Sequence, residues 1–196
     1  NQSDLNNALD SLRNGKLCIL FDDESRENEG DFILAAEKVS PEAINFITKH
    51  GRGTLCLAMT SSQADKLGLK LINSDREDLS QPAFMISIDA AQGITSGVSA
   101  FDRAETIRTA ISNDATHQSV RSPGHIFPLM AHPEGIRGRR GHTEGSIELV
   151  KRAGLKPSAV ICEILNEDGT MARWPDVLRL GQDLELPVVH ISELTT

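Results

Sequence analysis

The chain has 196 residues, 39% hydrophobic and 24% charged, with a formal net charge of -8. That is enough for one compact domain or two small ones with a core that needs no staples. The acidity argues against a nucleic-acid binder, which needs a basic face, but leaves room for a small anion held by a local arginine cluster. Three cysteines, Cys18, Cys56 and Cys162, are widely spaced and form no CxxC pair. A disulfide framework and a cysteine zinc site are therefore not expected, and reduced thiols suit the cytosol. No apolar run approaches the ~18 residues of a membrane span, and the N-terminus shows no signal pattern. The chain opens at Asn1 rather than Met, which reads as trimming.

In chain order, "SDLNNALDSLRNGK" predicts a helix with Leu5, Ala8 and Leu12 on one face. "KLCILF" and "DFILAAE" predict buried strands, with "DDESRENEGD" between them. "SPEAINFITKHG" predicts a helix with Ser40 as N-cap, Pro41 in the first turn and Gly51 past the end. A strand "TLCLAM", a short helix "SSQADKLG" and a strand "AFMISID" follow. "SAFDRAETIRTAI" predicts a helix with Ser99 and Asp102 as a capping pair. Residues 119–141, rich in Pro, Gly, Arg and His, read as mostly loop around the apolar run "IFPLM". A helix from about Thr143, a strand "AVICEIL", a turn "NEDGT", a helix "PDVLRLGQDL" and a strand "PVVHIS" complete the chain. Helices and strands interleave without repeats or a linker, which points to one α/β-type domain, residues 1–196, on a mixed sheet.

Four places could carry chemistry. The acidic run from Asp22 to Asp31 follows a buried strand, where carboxylates this close disfavour one another's charge unless a cation is near. Mg²⁺ or Mn²⁺ suits such oxygens; a solvated turn is the plain alternative. An EF-hand fails, because alignment on Gly30 puts Ala36 where a bidentate Glu belongs. "RRGHTEGS" sets Arg139, Arg140, His142 and Thr143 at a helix start, a ready anion site, with His142 also a metal-ligand candidate; simple capping by Thr143 is the alternative. Glu163 sits in the strand "AVICEIL", either facing solvent or poised as a proton shuttle. His125 follows a Pro-Gly turn in "SPGHIFPL". Cys56 reads by default as a small buried hydrophobe. No P-loop, HExxH or GxSxG occurs. The residues together suggest a metal-dependent enzyme acting on a small phosphorylated substrate.

"DDESRENEGD", "SPGHIFPL", "RRGHTEG" and "CEILNEDGTMAR" occur in the order found in 3,4-dihydroxy-2-butanone-4-phosphate synthases, and the chain resembles that family from about Leu17 to Leu194. The resemblance implies an α+β fold, a three-layer α/β/α sandwich around a mixed, twisted sheet. It implies conversion of D-ribulose 5-phosphate to L-3,4-dihydroxybutan-2-one 4-phosphate and formate in riboflavin biosynthesis. It also implies Mg²⁺ or Mn²⁺ without an organic cofactor, a cytoplasmic homodimer with active sites near the interface, and frequent fusion to a GTP cyclohydrolase II domain. By motif, Glu27 and His142 would be metal ligands. Arg26, Glu27, Asp31, Cys56, Arg139, Gly141, His142, Thr143 and Glu163 would bind substrate, with Arg139 and Thr143 on the phosphate. His125, Glu163, Asp22 and Glu24 would be catalytic, the last two on a carboxylate-rich loop that closes over the substrate and can exchange protons with it. Ser122 stands where the family carries arginine before Pro-Gly-His, and Pro82 and Ser96 stand where threonine is common. A catalytically drifted phosphosugar-binding domain of a bifunctional protein is the competing expectation.

Overall fold

The structure is a computed structural model that describes residues 2–73 and 80–195, the side chains from residue 4. Its centre is one seven-stranded mixed sheet in the order β4-β5-β3-β6-β2-β1-β7. The strands are β1 (Cys18–Phe21), β2 (Gly30–Ala35), β3 (Cys56–Met59), β4 (Ile88–Ala90), β5 (Val120–Met130), β6 (Ser158–Glu163) and β7 (Val188–His190). β1 and β7 pair in parallel, as do β3 and β5, while the remaining neighbours are antiparallel. Both faces are covered, so β1, β2 and β3 are buried along their whole length and read as continuous apolar runs rather than alternating ones.

The helices are α1 (Gln2–Arg13), α2 (Pro41–Gly51), α3 (Ser61–Lys66), α4 (Ala100–Ala110), α5 (His142–Arg152) and α6 (Trp174–Asp183). One face of the sheet packs its Ile33, Ala35 and Ile161 against Ala8 and Leu12 of α1 and Leu149 and Val150 of α5. The other face sets Phe32, Leu34 and Val160 against Ile44 and Ile47 of α2, Ala104 and Ile107 of α4 and Val177 of α6. This is the three-layer α+β sandwich that the resemblance implies. Side chains such as Phe32, Leu34 and Ile47, fully buried, each contribute about 1.5–3 kcal/mol of burial.

Local signals act as expected at several helix starts. The Ser40 Oγ accepts the Ala43 N–H at 3.1 Å, and the Ser99 Oγ accepts the Asp102 N–H at 3.0 Å. Three elements differ from expectation. Gly51 closes α2 instead of following it; the left-handed residue is Arg52 (φ 69), whose guanidinium donates to the His50 and Leu165 carbonyls. "AFMISID" supplies only Ile88 and Asp89 of the three-residue β4, preceded by isolated bridges at Phe84 and Met85. Residues 120–130, expected as loop, form the longest strand, β5. Proline is tolerated there because the β4–β5 register jumps: Ile88 faces Ile126 while Asp89 faces Arg121, which bulges Ser122–His125 out of the ladder.

Candidate active site

The acidic run folds as a tight loop between β1 and β2, and Asp22 organises it. Its side chain is fully buried; Oδ1 accepts the Glu29 N–H at 3.0 Å, and Oδ2 accepts the Glu27 N–H at 3.2 Å and Arg26 Nη1 at 2.7 Å. Arg173, at the start of α6, donates to the Glu27 and Asn28 carbonyls at 3.0 and 2.7 Å and pins the loop from outside. Asp22 is thus the loop's internal post, its oxygens engaged by the loop's own donors. Glu24 is exposed and lines a separate hollow of about 390 Å³ with Phe21, Trp174 and His190.

Across from the loop, α5 begins at His142 with Gly141 as N-cap, and no side chain caps it. The first-turn N–H groups and the positive end of the helix therefore face the acidic loop. His142, 5% exposed, sets Nδ1 3.3 Å from Glu27 Oε2, and Nε2 3.1 Å from the Glu29 carbonyl and 3.9 Å from Asp31 Oδ1. Ligand atoms of Asp22, Glu27 and His142 lie within 4.8 Å of one another. Burial opposes charge on His142, but Asp31 and Glu27 overcome it and raise the imidazole to about 9. The hydrogen bond from His142, aided by Arg26 and against burial, lowers Glu27 to about 2. Burial, then the Glu163 charge, raises Asp31 to about 7 despite His142.

These residues suit a hard divalent cation. Glu27 and His142 face one another, and Asp31 Oδ1 is buried without a hydrogen-bond partner. An orphaned carboxylate oxygen beside a histidine held positive marks a place where more positive charge is wanted. Asp22 serves as support, its oxygens already engaged.

Asp31 also begins a polar row along one end of the sheet. It faces Glu163 on β6, whose Oε2 accepts the Thr54 N–H at 2.7 Å just ahead of β3. Glu163 is half-buried at the strand end, the position a proton carrier needs. Cys56 lies beneath the row, 1% exposed; burial, with Glu163 and Asp31 near, pushes its thiol well up, so it forms a neutral floor. His125 precedes by two residues Phe127, the β5 partner of Cys56, and falls in the same row. It is three strands from Asp31, about 14 Å at ~4.8 Å per step, so one chain does not bring His125 to the Glu27–His142 cluster.

The residues expected to hold an anion are only partly free. Arg139 is 7% exposed, with Nη1 2.8 Å from Glu144 Oε2 and Nε donating to the Ser80 carbonyl at 2.8 Å. Glu144 Oε1 also accepts the His132 N–H at 2.9 Å. Arg139 is therefore aimed by a buried carboxylate at the helix start that carries Thr143, itself 4% exposed. Arg140 reaches Asp23 at 3.3 Å and ties α5 to the acidic loop. A hollow of about 950 Å³ on the flank of α5 is lined by Arg137, Lys151 and Leu194. It gathers no such cluster, since Lys151 and Arg152 are paired with Glu148.

Sequence reasoning did not single out Asp89, Arg173 or Glu144. Asp89 closes the segment "AFMISID", and nothing in the local sequence marks it as buried. Arg173 and Glu144 lie inside the quoted motifs, but their partners are 145 and five residues away. Ser122 is exposed on the bulge, while Glu27, His142, His125 and Glu163 are all present, so nothing in the site favours a drifted domain.

Comparison with known proteins finds relatives along most of the chain. The chain is 48% identical over 189 residues to the riboflavin biosynthesis protein RibBA of Aquifex aeolicus, covering 95% of this chain and 47% of that protein. It is 46% identical over 187 residues to the 3,4-dihydroxy-2-butanone 4-phosphate synthase of Edwardsiella ictaluri, covering 95% and 85%. A two-domain synthase structure from A. baumannii, RibBX, superposes with TM-score 0.92 at 43% identity, over 97% of this chain and 56% of that one. A synthase structure in complex with two magnesium ions superposes with TM-score 0.90 at 35% identity, over 97% and 94%. The chain thus spans about half of the two longer relatives and most of the shorter ones. The family profile for 3,4-dihydroxy-2-butanone 4-phosphate synthase matches residues 6–196, and the chain belongs to that family of enzymes.

Proposed function

We propose that this site converts D-ribulose 5-phosphate to L-3,4-dihydroxybutan-2-one 4-phosphate and formate. The observation that carries the reading is the convergence of Glu27, His142 and the orphaned Asp31 oxygen beside the uncapped start of α5. It joins a cation site to an anion site, as a phosphorylated ketose requires. Glu27 and His142 would hold Mg²⁺ or Mn²⁺, which would polarise the substrate's ketone. No organic cofactor is needed, since the reaction is a proton-driven rearrangement.

Arg139 and Thr143, with the free N–H groups of α5, are assigned to the phosphate, and Gly141 lets it approach the helix start. Arg26 and Asp31 line the sugar side, with Cys56 as floor. Glu163 and His125 move protons during enolisation, dehydration and skeletal rearrangement. Water leaves in the dehydration and returns as formate is released, so the products contain all the substrate's atoms. Asp22 shapes the loop, and Glu24, its exposed member, is assigned to close over the substrate.

The separation of His125 from the cluster supports a homodimer with the active sites near the interface. Shortly after Gly97, which packs against His125, the chain exposes two apolar side chains, Val98 at 54% and Phe101 at 71% exposure, and a second copy would cover them. The cytoplasm is the setting the reduced thiols suit. In a longer protein of the RibBA kind, a GTP cyclohydrolase II domain would be the covalent partner.

Incubation of the folded chain with ribulose 5-phosphate and Mg²⁺ should release formate; none from metal-loaded protein would refute the reaction. Glu27→Ala and His125→Ala proteins should each be inactive alone. Co-refolded, they should recover activity if sites are shared between subunits, and no recovery would rule out sharing.

A further inference from the structure

We propose that Asp89 is the positioning residue of His125: it keeps the imidazole proton on Nδ1 and leaves Nε2 as the atom that takes and returns a proton at the substrate. The proposal rests on the reading of His125 as a proton carrier.

Asp89 lies on β4 and is 3% exposed. Its Oδ1 accepts the His125 backbone N–H at 2.9 Å, and the ring Nδ1 lies 3.1 Å from Oδ1 and 3.0 Å from Oδ2. A carboxylate offers only acceptors, so Nδ1 must be the donor in this contact. In the neutral ring, Nε2 then carries the lone pair. The imidazole is 43% exposed against 4% for the carboxylate, so the ring is held from behind and open in front.

The surroundings leave this pair little freedom. The β4–β5 register jump bulges His125 out opposite the Ile88–Asp89 step. Gly124 makes the bulge fit: a Cβ there would collide with the backbone of Ile88 and Asp89, and its N–H is held by Ser87 Oγ at 3.1 Å. Gly97 closes the other side at φ +98, where a Cβ would overlap Asp89 Oδ2 and crowd His125 Nδ1 at 2.7 Å. The Gly97 N–H is in turn fixed by Asp102 Oδ2 at 3.0 Å, which also accepts from the Thr95 hydroxyl at 2.8 Å. A carboxylate that merely stapled the bulge to β4 would need one oxygen on the backbone N–H. Here the second oxygen engages the ring.

The test is Asp89→Asn. The backbone N–H of His125 needs an acceptor, so the amide oxygen takes the Oδ1 place and the NH₂ faces Nδ1. That reverses the donor and drives the ring proton to Nε2. In ¹⁵N-histidine NMR of the substrate-free protein in alkaline buffer, the resonance lost in His125→Gln identifies the ring. It should report an Nδ1–H tautomer in the native protein and Nε2–H in Asp89→Asn. With substrate, kcat should fall on the order of 10²-fold while KM stays within about twofold. Gly97→Ala, which presses on both groups, should lower kcat and leave Mg²⁺ binding unchanged. The same tautomer in both proteins, or native kcat in Asp89→Asn, overturns the proposal. The tautomer is read without turnover, so a native protein that releases no formate would refute the reaction and leave the positioning role standing.

Discussion

At one end of the polar row, Asp22, Glu27, Asp31 and His142 crowd within reach of one another; at the other, His125 meets one carboxylate, Asp89. In the crowded end the charges are unsettled: His142 is held protonated to about 9, Asp31 rises to about 7, and one Asp31 oxygen has no hydrogen-bond partner. The sparse end is complete, with each Asp89 oxygen on a donor. On the proposed function, the difference separates two tasks. A site that gathers a cation keeps surplus negative charge, whereas a site that carries a proton needs one imidazole in one orientation.

The contrast is broken most severely at the crowded end. Glu27→Ala should lower Mg²⁺-dependent turnover by roughly 10³-fold, from the several kcal/mol that a bound cation contributes. His125→Gln should leave Mg²⁺ binding, measured by calorimetry, at the native level. If both variants lose Mg²⁺ alike, the two ends are not separate. A smaller effect is expected behind the helix start. Glu144→Ala leaves the buried Arg139 without its carboxylate and should cost about 3–5 kcal/mol in urea unfolding. A loss under about 1 kcal/mol would place that pair in solvent instead.

The gentlest probe is pH. The folded chain holds His142 charged to about 9 against an ordinary 6.5, so its ion pairs stabilise fully below pH 6.5 and are lost as pH rises through 9. Asp31, raised from 3.8 to about 7, acts with the same sign and is lost through pH 7. Glu27, lowered from 4.5 to about 2, stabilises above pH 4.5 and is lost as pH falls through 2. Metal-free protein should therefore melt at progressively lower temperature from about pH 6.5 to 9, with a shallower slope in His142→Gln. Mg²⁺ affinity should rise about tenfold per pH unit over the upper part of that range, because the cation displaces the His142 proton. A flat affinity profile would remove His142 from the ligands.

Helices with local caps were legible from sequence, because Ser40 and Ser99 act on N–H groups three residues away. The cluster of Glu27 with His142 was legible through motif resemblance, although 115 residues separate the two. β5 was not legible: Pro123 and Gly124 mark a turn by composition, and only pairing with β3 and β4 makes the segment a strand with a bulge. The burial of Asp22 within its loop was not legible either, because its charge is visible in the sequence and its burial is not.

The sequence alone determined which chemistry was available: a carboxylate-rich turn, a histidine at a helix start beside arginines, and carboxylates at strand ends. Those are properties of residue type and near-neighbour spacing. The tertiary structure decided which groups meet. It set Asp31 opposite Glu163, aimed Arg139 by Glu144, tied His125 to Asp89 and placed that pair three strands from Asp31. Strand order and register set those distances, and they come from burying both faces of the sheet, not from any local run of residues.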